Sequence, residues 1–289
     1  MAWQCSFLSE GQFPLIARTF DEAFADYYLK STRKAEQWLY NRAAKNAVEY
    51  DYSVGAFDGD RMVGLTLIGI DDWQGQLAAF DAGTGIIPDY RGMGLAREMF
   101  DFAVPKLRQR GVKKFLLEVL QVNEPAIKAY KKTGFRITRE FDCFGLDHKV
   151  YKPSNSSKPP VEIRPFPQRQ VATFRKHSDW QPSWENNFAT IERIPDELVI
   201  NGAYLDDKCV GLLAYYPLLN WIMSLVVKKE YRRQGIATAL LSHFIRNFNY
   251  DYPQINLVNV DRSDDGMLGF LYRMSFKLYT SQYEMELEL

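Results

Sequence analysis

The sequence is short of the residues that build metal sites and disulfide frameworks. Cysteine occurs three times, as Cys5, Cys143 and Cys209, with no C-x-x-C pair; histidine also occurs three times, as His148, His177 and His243. An odd, scattered set of cysteines excludes a disulfide scaffold and fits a reducing compartment, so the expected location is cytoplasmic. Dispersed histidines show no ligand spacing, so no metal is expected. Neither sign of charge is in excess: Lys+Arg and Asp+Glu are 36 each. That balance lacks the positive field that draws a protein to nucleic acid or anionic lipid. No apolar run reaches membrane-spanning length, and the opening MAWQCSFLSEGQF lacks the basic and apolar regions of an export signal. Neither a nucleic-acid nor a membrane partner is expected, and the oligomeric state leaves no mark in the sequence.

The chain does contain enough apolar material for two cores: 289 residues, 46% of them hydrophobic. It also contains a repeat. GAFDGDRMVG at 55–64 returns as GAYLDDKCVG at 202–211, and DYRGMGLA at 89–96 returns as EYRRQGIA at 230–237. The offset falls from 147 to 141, which places a six-residue shortening around GIDDWQGQ, 69–76. AYKKTGF at 129–135 faces LYRMSFK at 271–277, pairing Tyr130 with Tyr272. YKPSNSSKPP, 151–160, is rich in Pro and Ser and reads as a linker. The expected organisation is a tandem duplication with domains 1–152 and 161–289 joined by 153–160.

In the first copy, SVGAF, MVGLTLIGI and LAAFDAGTGII are β-rich runs separated by polar turns and predict an antiparallel meander. After Gly94, the spacing of Leu95, Met99, Phe102, Ala103 and Leu107 predicts an amphipathic helix that Gly111 ends, with Pro105 inside it. KFLLEVL, 114–120, predicts a strand. NEPAIKAYKKTG predicts a helix capped by Asn123 and stopped by Gly134. The order strand, PDYRGMGLA turn, helix, strand places a helix N-terminus at the sheet edge where ligands of α/β proteins bind. Its free N–H groups and dipole favour an anion, and a phosphate is the first candidate.

A nucleotide P-loop would need a lysine after the last glycine, which neither copy has, and the glycine spacing does not make a dinucleotide fingerprint. The copies share Arg-x-x-Gly-x-Ala, at Arg91, Gly94, Ala96 and at Arg232, Gly235, Ala237. This pattern resembles the acyl-coenzyme A signature of the GCN5-related N-acetyltransferase (GNAT) family, and NEPAIKAYKKTGF resembles that family's second motif. The paired form is similar to its tandem members. The resemblance implies an α/β (α+β) fold of two GNAT domains, each a mixed, mostly antiparallel sheet flanked by helices. It also implies an acetyl-coenzyme A dependent N-acetyltransferase acting on a small-molecule or peptide amine by direct attack on the thioester. A non-catalytic acyl-coenzyme A binding protein and an aminoacyl transferase of the same fold are the alternatives.

On that resemblance the pyrophosphate would lie on the backbone of Gly92, Met93, Gly94, Leu95 and Ala96, and of Arg233, Gln234, Gly235, Ile236 and Ala237, with Arg91 and Arg232 also in the coenzyme sites. The pantetheine arm would lie along the strand ends at Ile86 and Ile87 and at Val227 and Lys228, with Asn123 and Tyr272 also lining the coenzyme grooves. Tyr130 is the candidate acid for the departing thiolate, the other reading being a core aromatic. Glu118 is the candidate base, the other reading a solvated or paired carboxylate. Arg91 either touches phosphate or acts as a cap or salt bridge. In the second copy, Asp265 would hold the Asn position and Ser275 the Gly position, so the first copy is expected to be catalytic and the second catalytic, auxiliary or substrate-shaping.

Overall fold

The computed structural model describes residues 3–28, 35–149, 151, 161–194, 198–249 and 252–289. They form two compact units, Met1–Arg139 with Tyr283–Leu289, and Glu140–Gln282. The expected linker, 153–160, lies outside the described residues. The units do not follow the expected boundary: the chain passes from the first to the second inside one strand and returns inside its last. The seven residues 283–289, expected in the second domain, complete the first.

Unit 1 contains strands β1 (Gln4–Phe7), β2 (Val54–Asp58), β3 (Arg61–Trp73), β4 (Gln76–Ile86) and β5 (Lys114–Leu120). Its helices are α1 (Phe13–Phe24), α2 (Ala35–Lys45), α3 (Leu95–Gln109) and α4 (Glu124–Thr133). The strands lie in the order β1-β2-β3-β4-β5, all antiparallel except β4 with β5. Beyond β5 comes the end of β12 (Lys277–Glu288), held by Lys114 Nζ at 2.9 Å from Glu286 and by Arg139 Nε at 2.8 Å from Glu284. The hairpin at 69–76 is two long strands closed by Gln74 and Gly75, both with positive φ, the geometry a two-residue turn needs to follow the sheet's twist.

Helix α3 follows the expected stripe with one change. Leu95, Met99, Phe100, Ala103 and Leu107 are buried, whereas Phe102 is 40% exposed and rests on Phe7 with ring centroids 4.8 Å apart. Pro105 is exposed, so the carbonyl that loses its helical partner is on the solvent side.

Unit 2 repeats the scheme with β6 (Arg136–Leu146), which enters it at Glu140, and with β7 (Glu162–Pro165), β8 (Val199–Leu205), β9 (Lys208–Tyr216), β10 (Trp221–Val227) and β11 (Ile255–Asp261). Its helices are α5 (Phe188–Arg193), α6 (Ile236–Arg246) and α7 (Asp265–Arg273). The sheet order is β7-β8-β9-β10-β11-β6, with β10 and β11 the parallel pair. Each unit is thus a mixed, mostly antiparallel sheet with helices against it, as expected.

The exchanged strand contributes to the core of unit 1 through Met285, which is fully buried among Phe115, Leu117 and Phe135 in one apolar cluster. Met285→Ala is expected to destabilise unit 1 by about 2–5 kcal/mol, the range for truncating a buried large side chain. Urea unfolding followed at Trp73 and the other unit 1 aromatics measures it, and a loss under 1 kcal/mol would mean that the strand is not part of that core.

Candidate functional site

Strands β4 and β5 pair with each other only from Ala78–Lys114 to Asp81–Leu117. The cause is local. Ala82 is an extra residue opposite β3, between the pairs Ile68–Asp81 and Leu67–Gly83, and such a bulge bends its strand away from the neighbour. Unit 2 has the same device: Met223 is the extra residue of β10, and β10 meets β11 only at Trp221–Asn256. Ala82 and Met223 are 141 residues apart, the offset of the glycine motifs. In unit 2 the two diverging strands enclose a cleft of about 820 Å³.

Above each divergence the chain makes the same turn into a helix. Gly92 and Gly94 have φ of +77° and +95°, and no atom lies within 4 Å of where a side chain would begin at either. In unit 2 these positions are Arg233, at +62°, and Gly235, at +82°. Left-handed residues there direct successive main-chain N–H groups toward one concavity, and the first N–H groups of α3 and α6 have no helical acceptor. Met93 is exposed. Leu95 and Ile236 bury their side chains, Ala96 and Ala237 are half-buried, and Gln234 Nε2 turns back to the carbonyl of Glu230 at 3.5 Å, so main chain is what this turn offers a ligand.

The motif arginines serve another purpose. Arg91 grips the Asp26 carboxylate with both terminal nitrogens, at 2.6 and 2.7 Å, and donates to the carbonyls of Ala23 at 3.0 Å and Ile86 at 3.1 Å. Arg232 repeats the pattern on Asp179 and on the carbonyls of His177 and Val227. Of the two readings for Arg91, the clamp is the one the geometry supports: four donated hydrogen bonds tie the end of α1 to the end of β4 and fix the turn between them. The bound guanidinium holds Asp26 below the usual carboxylate range. The clamp also occupies the strand-end carbonyls of Ile86 and Val227, while the N–H groups of Ile87 and Lys228 bond Val63 and Val210. These ends therefore offer a ligand less free main chain than expected.

At the point where β4 and β5 separate, unit 1 places a polar cluster. The buried Asp81 accepts from the N–H of Gly83 at 3.0 Å, the Thr84 hydroxyl at 2.8 Å and the Tyr130 hydroxyl at 3.4 Å; Thr84 in turn lies 3.0 Å from Thr66. Burial pushes the Asp81 carboxyl from 3.8 up to about 6, opposed by its hydrogen bonds to Thr84, Gly83 and Tyr130. Burial and the neighbouring Asp81 raise the Tyr130 phenol well above its ordinary value. Glu118, half-buried, is the residue after the last paired one on β5. Strand alternation points it to the face opposite Leu117, whereas Tyr130 packs in the same core cluster as Leu117. Asn123 caps α4 by accepting from the N–H of Ala126 at 3.3 Å.

A profile of the acetyltransferase (GNAT) family matches residues 15–135 and again 163–276. The chain belongs to that family. Its two matches are a tandem duplication of the GNAT domain. The tandem GNAT protein of the clavulanic acid biosynthesis pathway superposes with a TM-score of 0.75 at 15% identity, over 99% of this chain and 98% of that one. A GNAT protein from Sphaerobacter thermophilus gives 0.70 at 16%, over 99% and 95%. At these identities the likeness concerns the fold. Streptothricin acetyltransferase of Streptomyces lavendulae is 36% identical over 100 residues, 35% of this chain and 48% of the relative. N-alpha-acetyltransferase 30 of Schizosaccharomyces pombe is 30% identical over 86 residues, 29% of this chain and 57% of the relative. The chain thus spans about half the length of these two relatives.

Within the GNAT frame two sequence assignments change. Asp264, not Asp265, is the counterpart of Asn123: it caps α7 by accepting from Met267 at 2.9 Å. The offset is therefore 141 everywhere after the shortened hairpin, and Tyr130 corresponds to the buried Leu271, while Tyr272 is 56% exposed and packs edge-on against Phe144. A single inserted step in aligning AYKKTGF with LYRMSFK had paired the tyrosines; the left-handed Gly134 and Ser275 and the buried Phe135 and Phe276 correct it. By the same offset Asp81, Thr84 and Glu118 correspond to Ile222, Leu225 and Asn259. Sequence reasoning missed Asp81, although a carboxylate inside LAAFDAGTGII was a visible signal. Among the described residues no group of three or more His, Cys, Asp or Glu side chains is placed to hold a metal, and no helix is long and apolar enough to cross a membrane.

Folded unit 1 holds a proton on Asp81 that the unfolded chain releases, from about pH 4 to about pH 6. Stability therefore falls as pH rises through that window and levels off above it. Between pH 4 and pH 7 the wild type is expected to lose about 2 kcal/mol relative to Asp81→Asn. Parallel urea titrations of both proteins check this, and pH-independent differences between them would mean an unperturbed Asp81.

Proposed function

We propose that the protein is an acetyl-coenzyme A dependent N-acetyltransferase that modifies a primary amine of a small molecule or peptide, and that unit 1 performs the transfer. The observation that carries the reading is the coincidence, in unit 1, of the amide-lined turn with the hydrogen-bonded Asp81–Tyr130 pair at the strand divergence. The turn fits a diphosphate: its glycines leave open space, its N–H groups converge, and a helix dipole stands behind them. The named relatives support the class of chemistry, since one is a streptothricin acetyltransferase and another an N-alpha-acetyltransferase.

When bound, the thioester supplies an activated acyl carbon next to a good leaving group. The roles left to this chain are proton transfers. Glu118, on one face of the sheet, takes the proton from the substrate ammonium, leaving the nitrogen lone pair free to form the N–C bond as the C–S bond breaks. Tyr130, on the other face, gives its hydroxyl proton to the departing sulfur, and the second proton that the nitrogen sheds as it becomes an amide restores the phenol. Asp81 is a positioning residue: it holds the Tyr130 hydroxyl at the divergence through the 3.4 Å hydrogen bond. Arg91 acts through the backbone, by fixing the turn.

Two substitutions test the assignment. In a Gly235→Trp background, Gly94→Trp combined with Arg91→Glu should abolish coenzyme binding in calorimetry; retained affinity would remove the turn from the site. Tyr130→Phe should lower kcat by about a hundredfold or more, with coenzyme affinity kept. An unchanged kcat would leave Tyr130 as core packing only.

A further inference from the structure

The cleft of unit 2 differs from its counterpart in what surrounds the strand divergence. Where unit 1 has Asp81, Thr84, Thr66 and Tyr130, unit 2 has Ile222, Leu225, Leu213 and Leu271, every one of them 8% exposed or less. Ile222 and Leu225 line the cleft together with Met223, Val258, Met267 and Phe270. Glu118 is replaced by Asn259, which cannot take a proton from an ammonium. The groups assigned to proton transfer are thus absent at equivalent positions, and aliphatic surface takes their place.

The cleft nevertheless keeps the features of a ligand site. The left-handed turn stands at its mouth with the exposed Arg233 beside it. The aromatic after the clamped aspartate also differs: Tyr27 of unit 1 is half-buried and packs edge-on against Phe24, whereas Trp180 is 43% exposed and lines the cleft. Asn186, 6% exposed, is pinned by its amide nitrogen to the carbonyl of Val258 at 2.8 Å. Its Oδ1 is buried and has no hydrogen-bond partner among the described residues, although the residue lines the cleft. A buried acceptor left unmatched in this way costs stability until an N–H reaches it. The acidic cleft residues Asp261 and Asp264 are engaged with the N–H groups of Ser263 and Met267.

We propose that unit 2 binds acyl-coenzyme A thioesters without transferring their acyl group, and selects acyl chains longer than acetyl. The inference rests on the reading that the duplicated turn holds a diphosphate. The acyl chain would lie against Ile222, Leu225 and Met223, and Asn186 Oδ1 would accept from an amide N–H of the pantetheine arm. A volume of about 820 Å³ is within the range of small-molecule sites, about 300–1,000 Å³.

The test uses the full chain carrying Gly94→Trp, with coenzyme A, acetyl-coenzyme A and hexanoyl-coenzyme A as probes in calorimetry. Affinity should rise by about fourfold per added methylene, so hexanoyl should bind roughly two orders of magnitude tighter than acetyl. Leu225→Thr should flatten that gradient, and Asn186→Ala should weaken all three probes several-fold alike. The reciprocal protein, Gly235→Trp, should lose the preference for hexanoyl, which tests the same point in a chain whose first unit is unaltered. Equal affinity for acetyl and hexanoyl, with coenzyme A itself still bound, would overturn the chain-length inference alone. Loss of coenzyme A binding in Gly94→Trp, with binding kept in Gly235→Trp, would overturn the diphosphate site of unit 2 and leave that of unit 1. Transfer of hexanoyl to an amine by Gly94→Trp would overturn the non-transferring role.

Discussion

One surplus residue in each central strand governs the architecture of the candidate sites. Ala82 in β4 and Met223 in β10 interrupt the ladder with the preceding strand, and beyond them β4 and β5, or β10 and β11, no longer pair. A parallel pair that stayed in register would close the sheet and leave no room for a ligand between its members. The arginine clamps complete the arrangement, because a diverging strand end needs an anchor: Arg91 and Arg232 each fasten it to the segment before the meander. The turn above is consequently held on both sides while its own N–H groups stay available.

The two units share this frame and differ in the chemistry set into it. Unit 1 gathers a buried carboxylate, a buried phenol, the buried Thr66 and the half-buried Thr84 in one hydrogen-bonded cluster, where each polar group has a partner and the burial cost is offset. Unit 2 solves the same packing problem with leucine and isoleucine. On the proposed reading, duplicated backbone with divergent linings separates what each half binds from what it transforms. This separation underlies both the assignment of transfer to unit 1 and the chain-length selectivity assigned to unit 2.

Most of the frame was legible in the sequence because short-range physics fixes it. The β-rich runs became β2, β3 and β4; Gly94 and Gly134 marked the beginning of α3 and the end of α4; Asn123 capped α4. The features that were missed depend on contacts distant in sequence. Nothing near Arg91 announces Asp26, 65 residues away, and nothing in the last residues announces that they pair beside β5. The mismatch of Tyr130 with Tyr272 came from letting residue identity outrank position: the caps and left-handed residues carry the register, and side chains at core positions are free to change.

The exchange of the final strand ties the maturation of the first unit to the far end of the chain. Although 139 of its residues are made first, its sheet lacks a member until Tyr283–Leu289 have emerged from the ribosome. During synthesis β5 presents an open edge with unsatisfied N–H and C=O groups, a template for wrong pairing. The sheet of unit 1 is therefore completed only by residues made after all of unit 2.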